Sequence, residues 1–190
     1  MSALPPRRVG LGSDHSLPAT WRVALIDRTR VNHRESSVSV ALSLSQEFEG
    51  LIAALEQAGL DYALVGGLAV AVWGAPRATK DIDLLVPKDA VEAIKAVARS
   101  RGFVLEAGPM TFRDGMELRR VTKFEGSQLL TLDLILVNDV VADAWRSRQR
   151  VTTERGELWV VAREALISMK QRAGRPQDLY DIERLKDLDR

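Results

Sequence analysis

The chain has no cysteine among its 190 residues. That excludes disulfides and thiolate metal sites, and it suits a reducing, cytoplasmic setting. Long apolar runs are missing as well: the longest stretch without a charged residue, 62–76, spans fifteen positions, short of the about 20 that a membrane helix needs. It reads as a core segment, and no membrane partner is expected. The first residues lack the apolar block of a secretory signal, so no export is expected. Nor is one charge in excess. The net charge of +1 is too small for a broad electrostatic footprint on nucleic acid, although brief engagement of a single RNA end stays open.

What the chain does have is apolar substance. At 46% hydrophobic it can bury one good core, so one domain with appendages is expected. Charge is spread unevenly, with six arginines against three acids in residues 1–45. Residues 1–20 are rich in Pro, Gly, Ser and Arg with little periodicity and read as disordered or loosely attached. Stretches 21–26 and 37–44 alternate like strands around a polar interval. Residues 1–45 are therefore read as a variable extension, with an RNA-gripping basic arm as the alternative, and residues 46–190 as the domain.

Within 46–58, Phe48, Leu51, Ile52 and Leu55 share one helical face, and Gly59 is placed to end the helix. Asp89 with Glu92 three positions on has the pattern of a capping box, opening a helix whose Val91, Ile94 and Val97 point inward until Gly102. A strand begins at Phe103. Asp114-Gly115 signals a hairpin between 110–112 and 118–124, and Gly126-Ser127 turns the chain into a further strand. Residues 140–150 read as a helix, and 154–156 as a turn before a strand at 158–161. The sum is an α/β (α+β) domain, a mixed sheet with helices packed on it.

The most informative stretch is 62–86. Residues 62–65 form a short apolar strand ending at Gly66-Gly67, and 68–73 suit a helix that stops at Gly74 before Pro76. A second strand, 82–86, opens with Asp81 and Asp83. Alternation places those two carboxylates on one face, about 7 Å apart, with Ile82 on the other. Glycines at a helix N-terminus present backbone N–H groups to an anion, and two carboxylates beyond thirteen intervening residues supply hard oxygens for a divalent ion on the same phosphates. A third carboxylate, Asp133, lies in 131–137, where Leu132, Leu134 and Leu136 point the opposite way. Alone, Asp133 reads equally as a ligand or as a strand residue satisfied by a neighbouring donor.

The order apolar run, Gly-Gly, helix, Asp-Ile-Asp at the head of an apolar strand, then a later strand carboxylate resembles the DNA polymerase beta-like nucleotidyltransferase superfamily. The resemblance implies that family's fold, with Asp81, Asp83 and Asp133 as catalytic and metal-binding residues, magnesium as cofactor or manganese in its place, and an NTP substrate. Gly66 and Gly67 would then meet the nucleotide through their backbone, and Lys80 would grip phosphate. Arg77 reads equally as a second phosphate contact or a solvated loop residue. Many members follow the first glycine with serine; Gly67 leaves only the backbone N–H. The extra helical domain of larger members is not expected here, nor a groove for a long polymer.

Further on, Leu166, Met169, Leu179, Ile182 and Leu185 recur at helical spacing and read as core. Lys170 sits on a helix that Gly174 ends, and Pro176 starts another. Lys170, Arg175, Asp178 and Asp181 resemble the closing segment of the bacterial AbiEii-type nucleotidyltransferase toxins, where a lysine helix leads into an Arg-x-x-Asp-Leu-x-Asp pattern. By that resemblance Lys170 would reach the nucleotide phosphates, while Asp178 and Asp181 line the site or fix its basic residues; helix-end ion pairs are the alternative. The implied activity is transfer of a nucleoside monophosphate to a hydroxyl of RNA, protein or an antibiotic, in a toxin beside an antitoxin partner. The rival reading is an inactive relative that binds nucleotide or a partner.

Overall fold

The computed structural model describes residues 42–154 and 156–188, so the strand-like stretch at 21–26 and most of that at 37–44 lie outside the described residues. The first helix, α1, runs Leu44–Gln57 and buries Phe48, Leu51, Ile52 and Leu55, the residues that the periodicity selects. Burying each is worth about 1.5–3 kcal/mol of transfer free energy. The chain leaves α1 at Gly59, whose φ of 64 is open to glycine at little steric cost.

Strand β1 (Ala63–Leu64), helix α2 (Gly66–Val72) and strand β2 (Asp81–Val86) follow. Helix α2 starts two residues earlier than the glycine pattern suggests, at Gly66 itself. All its residues after Gly66 are buried, which a segment with no polar side chain tolerates.

The capping box at Asp89 is not formed. Pro87 leads into a 3₁₀ turn over Lys88–Ala90, and helix α3 (Val91–Ser100) begins after it with Ala90 at its N-cap and no side-chain cap bond. Pro87 holds φ at −59 and starts the turn early, which leaves Asp89 inside it rather than at the helix entrance. Val91, Ile94 and Ala98 are the buried residues of α3.

Short strands β3 (Leu105–Glu106) and β4 (Met110–Thr111) line up along β5 (Glu117–Glu125), which turns into β6 (Gln128–Leu136). Between 140 and 150 only Ala142–Arg146 is helical (α4); Gln149–Thr153 is β7, paired with β8 (Gly156–Val160). Ser147 ends α4: its hydroxyl donates to the Ala144 carbonyl and accepts from the Ala162 N–H, so a side chain competes with the helical ladder. The chain closes with α5 (Arg163–Ala173), Gly174 at φ 63, and α6 (Pro176–Asp187). Leu166, Ile182 and Leu185 are buried, whereas Leu179 is 56% exposed and is not core.

The described strands make one eight-stranded mixed sheet in the order β3-β5-β6-β2-β1-β8-β7, with β4 also on β5. β2 runs parallel to β6 and antiparallel to β1, so it is central and flanked by both segments expected to build the site. Helices α1 and α3 pack on each other, as do α5 and α6, and α5 also meets α2 and α4.

Candidate active site

Parallel pairing puts Asp83 level with Asp133 and Asp81 level with Thr131. Because side chains alternate, the three aspartates share one face of the sheet. The other face at these positions carries Ile82, Leu84, Leu132 and Leu134, all fully buried. On the far flank of β2, the Val65 N–H donates to the Asp83 carbonyl at 3.0 Å, which draws the glycine bend against the carboxylates. Gly66 has φ 66, and a Cβ there would stand 1.9 Å from Asp83 Oδ2. Only glycine fits so close to that carboxylate. Gly67 is buried, and a Cβ on it would be 2.8 Å from Thr79 Oγ1 and 3.2 Å from Arg77 Nη1. The bend therefore sits beneath the loop that enters β2, and the first N–H groups of α2 have no acceptor within the helix.

The three aspartates differ in their partners. No hydrogen bond reaches the Asp81 or Asp83 carboxylate among the described residues. Burial, then the charges of Asp133 and Asp81, push Asp83 up to about 6 from 3.8. Burial and Asp133 also raise Asp81, against the opposing charges of Arg120 and Lys80. Asp133 is held instead in a fork: Arg120 donates from Nε to Oδ1 and from Nη2 to Oδ2, both at 2.7 Å. Sequence reasoning overlooked Arg120, which stands directly across from Asp133 in the β5–β6 ladder.

Two crowded carboxylates without donors are the kind of hard oxygen ligand that magnesium takes, and in that donor chemistry Asp81 and Asp83 fit a divalent ion. Among the described residues, no group of three or more His, Cys, Asp or Glu side chains is arranged to hold a metal. Both Asp133 oxygens face Arg120 instead.

Lys170 is buried, 5% exposed, and donates to Asp178 Oδ1 at 3.2 Å and Asp181 Oδ2 at 2.7 Å. Asp181, fully buried, also accepts the Arg77 fork at 2.7 and 2.9 Å, and Asp178 accepts from Arg175 Nε at 2.7 Å. Burial raises both acids, but hydrogen bonds from Arg175 and Lys170 at Asp178, and from Arg77 and Lys170 at Asp181, outweigh it and pull both below the usual carboxylate range. Arg77 is thus neither solvated nor free for phosphate. Together with the Arg184 bond to the Pro76 carbonyl, it ties α6 to the loop that carries Lys80 and leads into Asp81. Lys170 remains close enough to Asp83 for its charge to lower that group's pKa. Lys80 is exposed and makes no hydrogen bond or ion pair among the described residues.

No family model matches the chain, and no curated protein matches it either. Solved structures do. A Thermotoga maritima protein named as a candidate nucleotidyltransferase superposes with a TM-score of 0.56 at 13% identity, over 75% of this chain and 92% of that one. ANT(2″)-Ia in complex with adenylyl-2″-tobramycin gives a TM-score of 0.52 at 18% identity, over 74% of this chain and 87% of its own. The solution structure of the same antibiotic-resistance factor gives 0.52 at 17%, over 76% and 84%. At these identities the likeness is one of fold. The chain has the nucleotidyltransferase fold, mixed sheet and helices together.

Proposed function

We propose that the protein is a nucleotidyltransferase that moves a nucleoside monophosphate from an NTP to an acceptor hydroxyl, with magnesium held by Asp81, Asp83 and Asp133. The observation that carries this reading is the register that sets Asp83 level with Asp133 while Gly66 lies against Asp83. In the reaction the acceptor oxygen bonds to the α-phosphorus, the bond from that phosphorus to its bridging oxygen breaks, and pyrophosphate leaves. Magnesium, when bound, would neutralise the charge that grows on the α-phosphoryl oxygens and the leaving group.

The chain's own residues bind and orient. The backbone N–H groups at Gly66 and Gly67 and the exposed Lys80 ammonium face the triphosphate. Asp133, on the strand that flanks β2 opposite the glycine bend, would orient the acceptor hydroxyl or take its proton. Lys170, held by Asp178 and Asp181, acts from behind: it steadies the Asp83 side of the site and fixes α5 on α6. The acceptor belongs to the class RNA end, protein hydroxyl or small molecule, and the adenylyl-2″-tobramycin in the ANT(2″)-Ia structure supports including aminoglycosides. A toxin role beside a restraining antitoxin is part of the same reading.

The test is incubation with each α-labelled NTP and magnesium, offering total RNA, the protein itself and aminoglycosides, beside D81A and D83A. Label should move to one acceptor class with the wild type and to none with either variant or in chelator. The fork that occupies Asp133 favours a second reading, a nucleotide- or partner-binding module without turnover. Tight nucleotide binding that chelator leaves unchanged, with no transfer, would establish that alternative.

A further inference from the structure

Arg120 has no counterpart in the sequence pattern of the site, yet both oxygens of a site carboxylate are committed to it. The Nε–Oδ1 and Nη2–Oδ2 distances are 2.7 Å each, the geometry of a directional arginine–carboxylate fork. The two residues are cross-strand partners, so the pair is built into the sheet and not into a mobile loop. Asp133 is nearly enclosed, its side chain 8% exposed, whereas the Arg120 side chain is 43% exposed. The nearby Asp81 and Asp83 carboxylates accept no hydrogen bond among the described residues. One cation thus serves one of three carboxylates, and the closed fork takes up its negative charge and one lone pair on each of its oxygens, which leaves it a poorer ligand for an ion.

We propose that Arg120 is a positioning residue: it holds Asp133 as a built-in counter-ion in the metal-free protein and swings off it, toward solvent, before Asp133 serves as the third ligand. This rests on the reading of the three aspartates as ligands. Metal and Arg120 then compete for the same oxygens, and the closed fork holds down metal affinity in the absence of nucleotide. A charge-assisted hydrogen bond is worth about ten- to a hundredfold in an equilibrium constant. Removing the fork therefore tightens metal binding by about tenfold or more.

The experiment titrates Mn²⁺ into the metal-free full chain, following free Mn²⁺ by electron paramagnetic resonance and unfolding by melting temperature. The proteins are wild type, R120Q, D133N, the double variant and D81N. R120Q should bind Mn²⁺ about tenfold tighter than wild type, melt lower in chelator because Asp133 is left unpaired, and regain its melting temperature with Mn²⁺. In the D133N background R120Q should change Mn²⁺ affinity little. Equal affinity in wild type and R120Q, or the same gain with and without Asp133, overturns the role of Arg120. Undiminished Mn²⁺ binding by D81N overturns the ligand reading itself, a separate result. Should R120Q fail to fold, R120M, which keeps the length of the side chain without its charge, decides between the same outcomes.

Discussion

Replacing Asp83 by asparagine should make the metal-free protein more stable while removing its response to metal. In the folded chain Asp83 is pushed up to about 6 from 3.8 by burial and by its two neighbours. A raised carboxylate holds its proton more tightly folded than unfolded. The stability it contributes is therefore fully present below the unfolded pKa and is lost as pH rises through about 6. A difference of about two units corresponds to ~3 kcal/mol. Asparagine has the same shape and no charge, so at about pH 8 in chelator D83N should exceed wild type by up to ~3 kcal/mol, or up to about 6–12 °C in Tm. At about pH 4.5 the gap should narrow to ~1 kcal/mol, closing only below the unfolded pKa. Thermal unfolding of both proteins at the two pH values isolates Asp83, because every other titrating group is shared. With Mn²⁺ present the order should reverse, as wild type gains and D83N does not. Equal melting at about pH 8, or the same gap at both pH values, would rule out a destabilising charge on Asp83.

D81N, which keeps the shape of β2, should lower transfer by about a hundredfold or more, measured as initial rate with labelled NTP at saturating magnesium. G66A puts a methyl group at φ 66 and 1.9 Å from Asp83 Oδ2; ~2 kcal/mol of stability should go, and nucleotide affinity should fall with it in a binding titration. K170M strips an ammonium from two buried acids and leaves them Arg77 and Arg175, which should remove ~3 kcal/mol in urea denaturation. Because Asp178 and Asp181 are depressed, the stability they supply is present above about pH 4 and is lost as the pH falls below it. The wild type should therefore weaken in acid more steeply than D181N.

The carboxylate strands were legible in the sequence because alternation is a local property: Ile82, Leu132 and Leu134 mark the buried face, and the aspartates fall on the other. The level of Asp83 with Asp133 was not. Those strands are parallel and lie about fifty residues apart in the chain, and no turn fixes how they slide past each other. The β5–β6 register, by contrast, follows from the two-residue turn at Gly126-Ser127, which sets Glu125 opposite Gln128 and, counting back along both strands, Arg120 opposite Asp133. The signal for Arg120 was thus present at the hairpin, and it selects the donor-satisfied state that the residues left open for Asp133. The fate of Arg77 was not readable in this way. Its partner Asp181 is 104 residues distant, and only the packing of α6 against the loop before β2 brings them together. Local cues also lost to neighbours at Asp89, where Pro87 starts the turn early, and after Ser147, where the β7–β8 ladder takes residues that could continue a helix.

The proposed transfer requires a divalent ion and a triphosphate between the glycine bend and the aspartates of β2 and β6. Crystals of the full chain grown with Mn²⁺ and a non-hydrolysable NTP, measured at a wavelength where manganese scatters anomalously, locate the ion directly. A manganese peak should bridge Asp81 and Asp83 within about 2.0–2.4 Å of their oxygens, with Arg120 moved off Asp133 and the phosphates beside Gly66. A nucleotide bound elsewhere, or bound there with the Arg120 fork closed and no manganese on Asp81 or Asp83, would contradict it.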